Sequence, residues 1–223
     1  MCLKFKCLIL DHDDTAVNST AHVHYPAHEE VLLTLRPGAT PIGLEGWFRK
    51  NFHPGIMQYL TGELNMTEEE MEVEYDIWRQ FTSSRTPAFF PGFLDVLIEY
   101  RKRGGIITVV SHSEEDIIRN HYTSQDNGEP CVPDLIFGWT YDDEKRKPSP
   151  WPVRQILSAF NVKPEETLIL DDLKPGVLMG KNSGVPVAGA GWCHDIPEIR
   201  EYMTENCLAY FPSIEDFRRF IFA

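Results

Sequence analysis

Five short apolar runs constrain this chain more than any other feature: Phe5–Leu10, Ile106–Val110, Leu135–Phe137, Thr167–Leu170 and Val185–Ala188. A strand with one wet face alternates apolar and polar residues. A run with almost no polar interruption is buried on both faces, as in a parallel sheet covered by helices. The stretches between the later runs have helical length and helical punctuation. Pro91–Arg103 stops at Gly104-Gly105, a C-terminal signal. Ser113–Thr123 opens on a serine followed by Glu114, Glu115 and Asp116, a cap and acids that suit a helix N-terminus. Ser149-Pro150 opens a helix reaching to about Asn161, and Ser213–Phe222 follows the same style. Strand, helix, strand, helix predicts an α/β fold around a parallel sheet.

One region breaks the rhythm. No strand pattern occurs between Leu10 and Pro91. The spacing predicts helices over Pro26–Leu35, Glu45–Phe52, His53–Thr61 and Thr67–Thr82, the last opening with the capping-box pattern Thr67-Glu68-Glu69-Glu70. A crossover that long is a lobe of its own. We read 17–88 as an inserted helical domain, and 1–16 with 89–223 as the α/β core. At 223 residues the chain is long enough for both.

Charge narrows the possible partners. Lys and Arg total 21 against 34 Asp and Glu, for a net charge of −13. That field repels nucleic acid and anionic lipid. An anionic substrate would need a local cation. Five cysteines, none in a C-x-x-C pair, suit reduced thiols and a cytoplasmic protein. Met1–Leu10 lacks the pattern of a signal peptide. No window approaches the roughly 20 apolar residues of a membrane span.

In parallel α/β sheets, ligands bind where strands end. After the first apolar run come Asp11, His12, Asp13, Asp14 and Thr15; after the second, Ser111; after the fourth, Asp171 and Asp172. Lys147 lies past the third, before a capped helix. Carboxylates gathered at one place drive each other's pKa values apart or upward unless a cation joins them. Oxygen donors without His or Cys suit Mg²⁺. Beside a nucleophilic carboxylate, such a metal lets a phosphoryl dianion approach. A second carboxylate two residues on can give a proton to the leaving oxygen and later take one from water.

Four motifs in order resemble those of the haloacid dehalogenase superfamily, in its phosphatase and phosphomutase branch with a helical cap, as in phosphoglycolate phosphatases. Leu8–Leu10 followed by Asp11-His12-Asp13-Asp14-Thr15 fits strand then D-x-D-x-T. Ile106–Val110 with Ser111, Lys147-Pro148, and Leu168–Leu170 with Asp171-Asp172 fit the other three. Gly176, Gly180 and Gly184 fit the glycine run that follows. The resemblance implies a Rossmann-like parallel-sheet core with an inserted α-helical cap that closes over substrate.

It further implies a Mg²⁺-dependent phosphatase acting through an aspartyl phosphate. Asp11 is then nucleophile and metal ligand. Asp13 is the general acid/base and binds metal through its carbonyl. Thr15, which braces the loop, Ser111 and Lys147 are on the substrate side. Asp172 is a further metal ligand, with Asp171 beside it or just behind. Asp13 favours phosphate esters over halides, because a halide needs no proton. The expected partner is a small phosphorylated metabolite, not nucleic acid or membrane, for a monomer or weak homodimer. A phosphomutase of the β-phosphoglucomutase kind, or a non-catalytic binding protein, is the alternative. Asp14 departs from the family, which usually has Gly there.

Outside the motifs, His22, His24 and His28 have a spacing open to zinc, but cleft-facing or solvated histidines at the start of a helix are the simpler reading. Trp47, Phe48, Phe52, Tyr59, Tyr75, Trp78 and Phe81 are expected to form the core of the insert. Cys7 is expected to be a buried small hydrophobe.

Overall fold

A computed structural model describes residues 3–124 and 131–223. Cys2 lies outside the described residues. The backbone divides into two compact units, one formed by Met1–Val17 with Phe89–Ala223 and the other by Asn18–Ala88.

The first unit is built on a six-stranded sheet. Its strands are β1 (Cys7–Leu10), β2 (Ile106–Val110), β3 (Leu135–Phe137), β4 (Thr167–Asp171), β5 (Val187–Ala190) and β6 (Ala209–Phe211). The order is β3-β2-β1-β4-β5-β6 and each neighbouring pair is parallel. The apolar runs are therefore strands with both faces covered, as their patterning requires. Leu8, Leu10, Ile107, Val109, Leu168 and Leu170 pack with Phe93, Leu97 and Tyr100 in one core cluster. The buried Tyr100 hydroxyl donates to the Phe5 carbonyl at 2.7 Å, so its polar end has a partner.

The structure moves some boundaries. β5 starts at Val187 rather than Val185. Pro186 has no N–H to give, and only its carbonyl joins the sheet, accepting from the Ile169 amide at 3.0 Å. β6 is too short for its pattern to be read. The Ser113 side chain does not cap the next helix. The N-cap is Glu114, and the Ser113 amide donates to Ser111 Oγ at 3.1 Å. Ser213 does cap its helix, accepting from the Asp216 amide.

The second unit contains α1 (Tyr25–Leu35), α2 (Gly43–Phe52), α3 (Ile56–Gln58) and α4 (Glu68–Ser84). π-helical turns occupy Thr20–His24 and Tyr59–Glu63. The capping box at Thr67 and Glu70 forms as expected. The helix expected over His53–Thr61 is instead short α3 running into a π-turn, since Pro54 cannot continue the hydrogen bonding of α2. Val31, Trp47, Tyr59, Leu60 and Met66 make the core of this unit. Phe48 is buried as well, but Phe52, Tyr75, Trp78 and Phe81 are only half-buried. Among the described residues, no helix is long and apolar enough to cross a membrane.

Candidate active site

β1 and β4 are neighbours, with Leu10 opposite Leu170. That register delivers Asp11 and Asp171 side by side at the carboxyl end of the sheet. The Asp11 amide donates to the Leu170 carbonyl at 2.8 Å. Strand order also reverses here: β2 and β3 lie on one side of β1, and β4 to β6 on the other. Such a switch point is where open α/β sheets form their binding crevice.

Lys147 reaches this point from the loop after β3. Its Nζ donates to Asp11 Oδ1 at 2.6 Å and to Asp171 Oδ2 at 2.8 Å, and all three side chains are buried. The two carboxylates are not equivalent. Asp171 Oδ1 also accepts from the Leu173 amide at 3.0 Å, so both its oxygens are engaged. A Cβ at Gly176 would come within 2.1 Å of Asp171 Oδ2, so only glycine lets the following helix (Lys174–Ser183) pass this close. Among the described residues, the second oxygen of Asp11 has a single long hydrogen-bond contact, 3.4 Å from Thr15 Oγ1. Thr15 Oγ1 is also 3.4 Å from Asp172 Oδ1.

Electrostatics separate the groups further. Burial pushes the Asp11 carboxyl up to about 7, against the pull of Lys147 and with added repulsion from Asp171 and Asp13. Burial and the charge of Asp11 likewise raise Asp172. Burial alone would disfavour the Lys147 ammonium, but Asp11 and Asp171 outweigh it and hold it charged.

The loop from Asp11 to Val17 is tightly wound. Ala16 and Val17 amides donate to the His12 carbonyl, and the Asp14 amide donates to the Val17 carbonyl. Asp14 has φ +60°, in the left-handed region. The turn that Gly usually makes is therefore made here by Asp, one of the side chains that tolerate it best. Asp13 is half-buried and accepts from Ser111 Oγ at 3.2 Å. His12 is fully buried and its Nε2 meets His121 Nδ1 at 2.9 Å. Trp192 Nε1 donates to the Thr15 carbonyl at 3.0 Å.

A model of the haloacid dehalogenase-like hydrolases matches residues 5–184. The chain belongs to this family. Among curated proteins, pyrophosphatase PpaX of Anoxybacillus flavithermus is 43% identical over 54 residues, 24% of this chain and 25% of that protein. The chain thus matches only a quarter of the length of that relative. Among solved structures, a predicted phosphatase from Clostridium acetobutylicum has TM-score 0.79 and 14% identity, covering 98% of both chains. CbbY from Rhodobacter sphaeroides, solved with phosphate, has TM-score 0.72 and 18% identity, covering 94% of both. Identity that low speaks for the fold alone.

In this hydrolase the carboxylates suit a hard divalent cation. Donor oxygens of Asp11, Asp171 and Asp172 lie within 4.8 Å of one another, all buried. Three carboxylates face one ammonium, which leaves two negative charges to balance. Burial first, and then the neighbouring carboxylates, raise Asp11 and Asp172, so a cation placed among them would favour their charged forms. An all-oxygen set suits hard ions, Mg²⁺ among them, over softer metals.

The seven residues read from sequence thus lie at the ends of β1, β2 and β4 and in the loop after β3. Direct hydrogen bonds link Asp11, Thr15, Lys147, Asp171 and Asp172, and separately Asp13 with Ser111. Sequence reasoning missed His121, Trp192, Cys193 and His194. Cys193 Sγ is 3.7 Å and His194 Nε2 3.9 Å from Asp172 Oδ2. Their position after the fifth strand was the available signal. The three histidines of the insert do not converge. His22 is exposed, His24 Nδ1 accepts from Trp78 Nε1 at 3.1 Å, and His28 is buried against Trp47.

Proposed function

We propose that the protein is a Mg²⁺-dependent phosphatase that hydrolyses a small phosphorylated metabolite through an aspartyl phosphate. The observation that carries this reading is the state of Asp11. One oxygen is held by Lys147, while the other has only a long hydroxyl contact. That second oxygen is oriented without being consumed, as a nucleophile must be.

Oδ2 of Asp11 attacks phosphorus, and the bond to the ester oxygen breaks. Asp13 gives its proton to the departing oxygen. Asp13 then takes a proton from water, which attacks the same phosphorus. The bond to Asp11 breaks and inorganic phosphate leaves. Lys147 and Ser111 hold phosphoryl oxygens, with Lys147 at two buried carboxylates so that it stays charged. Asp171 positions Lys147. Asp11, Asp172 and the Asp13 carbonyl would hold Mg²⁺, which would supply the positive charge that lets a phosphoryl dianion stand beside carboxylates. The names of PpaX and of the phosphate-bound CbbY agree with phosphoryl chemistry. Cys7, Cys131, Cys193 and Cys207 are free thiols, which suits a cytoplasmic setting.

The test is release of nitrophenol and phosphate from p-nitrophenyl phosphate, with Mg²⁺ and with a chelator, for wild type and Asp11→Asn. Metal-dependent turnover lost in the variant supports the reading. Turnover unchanged by chelator or by Asp11→Asn overturns it.

A further inference from the structure

Asp172 has a second set of neighbours that the phosphatase chemistry does not use. Its Oδ1 faces Thr15 at 3.4 Å, on the side of Asp11. Its Oδ2 faces the loop after β5, where Cys193 Sγ approaches to 3.7 Å and His194 Nε2 to 3.9 Å. One donor atom from each of Asp172, Cys193 and His194 lies within 4.8 Å of the others. The carboxylate and imidazole are almost wholly shielded, with side chains 2% and 6% exposed. Consecutive residues of one loop supply the sulfur and the nitrogen, and the end of β4 supplies the oxygen.

We infer that Asp172, Cys193 and His194 form a second cation site, for a borderline transition ion of the zinc class. Two physical arguments support it. Metal–donor bonds of about 2.0–2.3 Å at tetrahedral angles set donor atoms about 3.3–3.5 Å apart. The separations at Asp172 Oδ2, 3.7 Å to sulfur and 3.9 Å to nitrogen, need shrink by roughly 0.2 and 0.6 Å, and the sulfur and nitrogen, within 4.8 Å of each other, must close as well. The donor chemistry also differs in kind from its neighbour. Asp11, Asp171 and Asp172 offer oxygen alone and suit a hard ion, whereas thiolate, imidazole and carboxylate together select zinc or cobalt over magnesium. Asp172 belongs to both sets. An ion bound here would compete for Asp172, a residue that the phosphatase reading also needs. On binding, a sulfur–metal bond forms and the Cys193 thiol proton passes to water. No electron transfer is involved.

Cobalt(II) titrated into the full-length protein without Mg²⁺ tests this directly. Thiolate ligation gives a charge-transfer band in the near ultraviolet that oxygen ligation at Asp11 and Asp171 does not. The expected result is a band saturating at one equivalent and bleached by added zinc. Cys193→Ser should abolish it. His194→Gln should weaken cobalt affinity by at least about tenfold, since even groups that only support ligands are worth about 10–100-fold. No band in the wild type, or a band that persists in Cys193→Ser, overturns the inference. Should Cys193→Ser lose its native circular dichroism, His194→Gln carries the test, and unchanged affinity there overturns it. The readout is independent of turnover, so its failure leaves the phosphatase reading standing, and failure of that reading leaves this one standing.

Discussion

The two units bury polar groups in opposite ways. In the α/β unit, buried charge is cross-linked: Lys147 bonds Asp11 and Asp171, and Thr15 lies between Asp11 and Asp172. In the helical unit, the buried His28 stands among aromatic rings, 4.3 Å from Trp47 and 5.7 Å from Tyr59 between centroids. Among the described residues, neither His28 ring nitrogen has a hydrogen-bond partner. Burial pushes its pKa down to about 4. The first arrangement holds Lys147 charged in a low-dielectric place while burial raises the carboxyls of Asp11 and Asp172, so the groups share their protons and charge and are useful for chemistry. The second stays neutral and contributes packing. A buried titratable group is therefore a stronger sign of function where several are bonded to one another, as Lys147, Asp11 and Asp171 are, than where one stands among aromatic rings.

Four changes test that contrast, in falling order of effect. Asp11→Asn should lower p-nitrophenyl phosphate turnover by at least about 10³-fold, the scale of losing a nucleophile. Loss of less than tenfold would place the nucleophile elsewhere. Lys147→Met leaves two buried carboxylates facing each other. It should cost about 3–5 kcal/mol in urea unfolding, as expected when one partner of a buried ion pair is removed. A cost under about 1 kcal/mol would mean that the carboxylates do not rely on the ammonium.

His28 should show the opposite dependence, on pH rather than on a partner. Its folded pKa of about 4 lies below the usual 6.5. Between those values the unfolded chain binds the proton and the folded one does not. Its contribution is therefore full above pH 6.5 and is lost as pH falls toward 4, by at most about 3 kcal/mol. His28→Phe should flatten that part of the stability–pH curve of the protein. An unchanged curve would show that His28 is not kept neutral by burial. Asp14→Gly should raise stability by about 1 kcal/mol, because it relieves a left-handed residue and removes a buried negative charge. A loss of thermal stability would show that the Asp14 side chain holds the turn.

Much of the α/β unit was legible, and for reasons that name particular residues. Runs such as Ile106–Val110 and Thr167–Leu170 have no polar residue to place on a wet face beyond Thr, so only a buried parallel strand fits them. Once strands are placed, Asp11, Ser111 and Asp171 follow as strand exits. What could not be read was contact across loops. Nothing local tells that Gly176 must yield space to Asp171, that Trp192 reaches the Thr15 carbonyl, or that Cys193 and His194 turn to Asp172. In the helical unit, helix-forming stretches were clear. The inward face of each was not, because Tyr75, Trp78 and Phe81 on α4 are aromatic yet only half-buried.

The most direct measurement is to locate the phosphoryl group. Asp13→Asn removes the base that activates water for hydrolysis. p-Nitrophenolate is a leaving group that needs no proton, so phosphorylation itself should still proceed. Acid quenching during turnover, followed by peptide mass spectrometry, should find a phosphoryl adduct on the peptide bearing Asp11, and none in the Asp11→Asn, Asp13→Asn double variant. An adduct on the Asp171–Asp172 peptide, or turnover with no adduct on any peptide, would contradict Asp11 as the nucleophile.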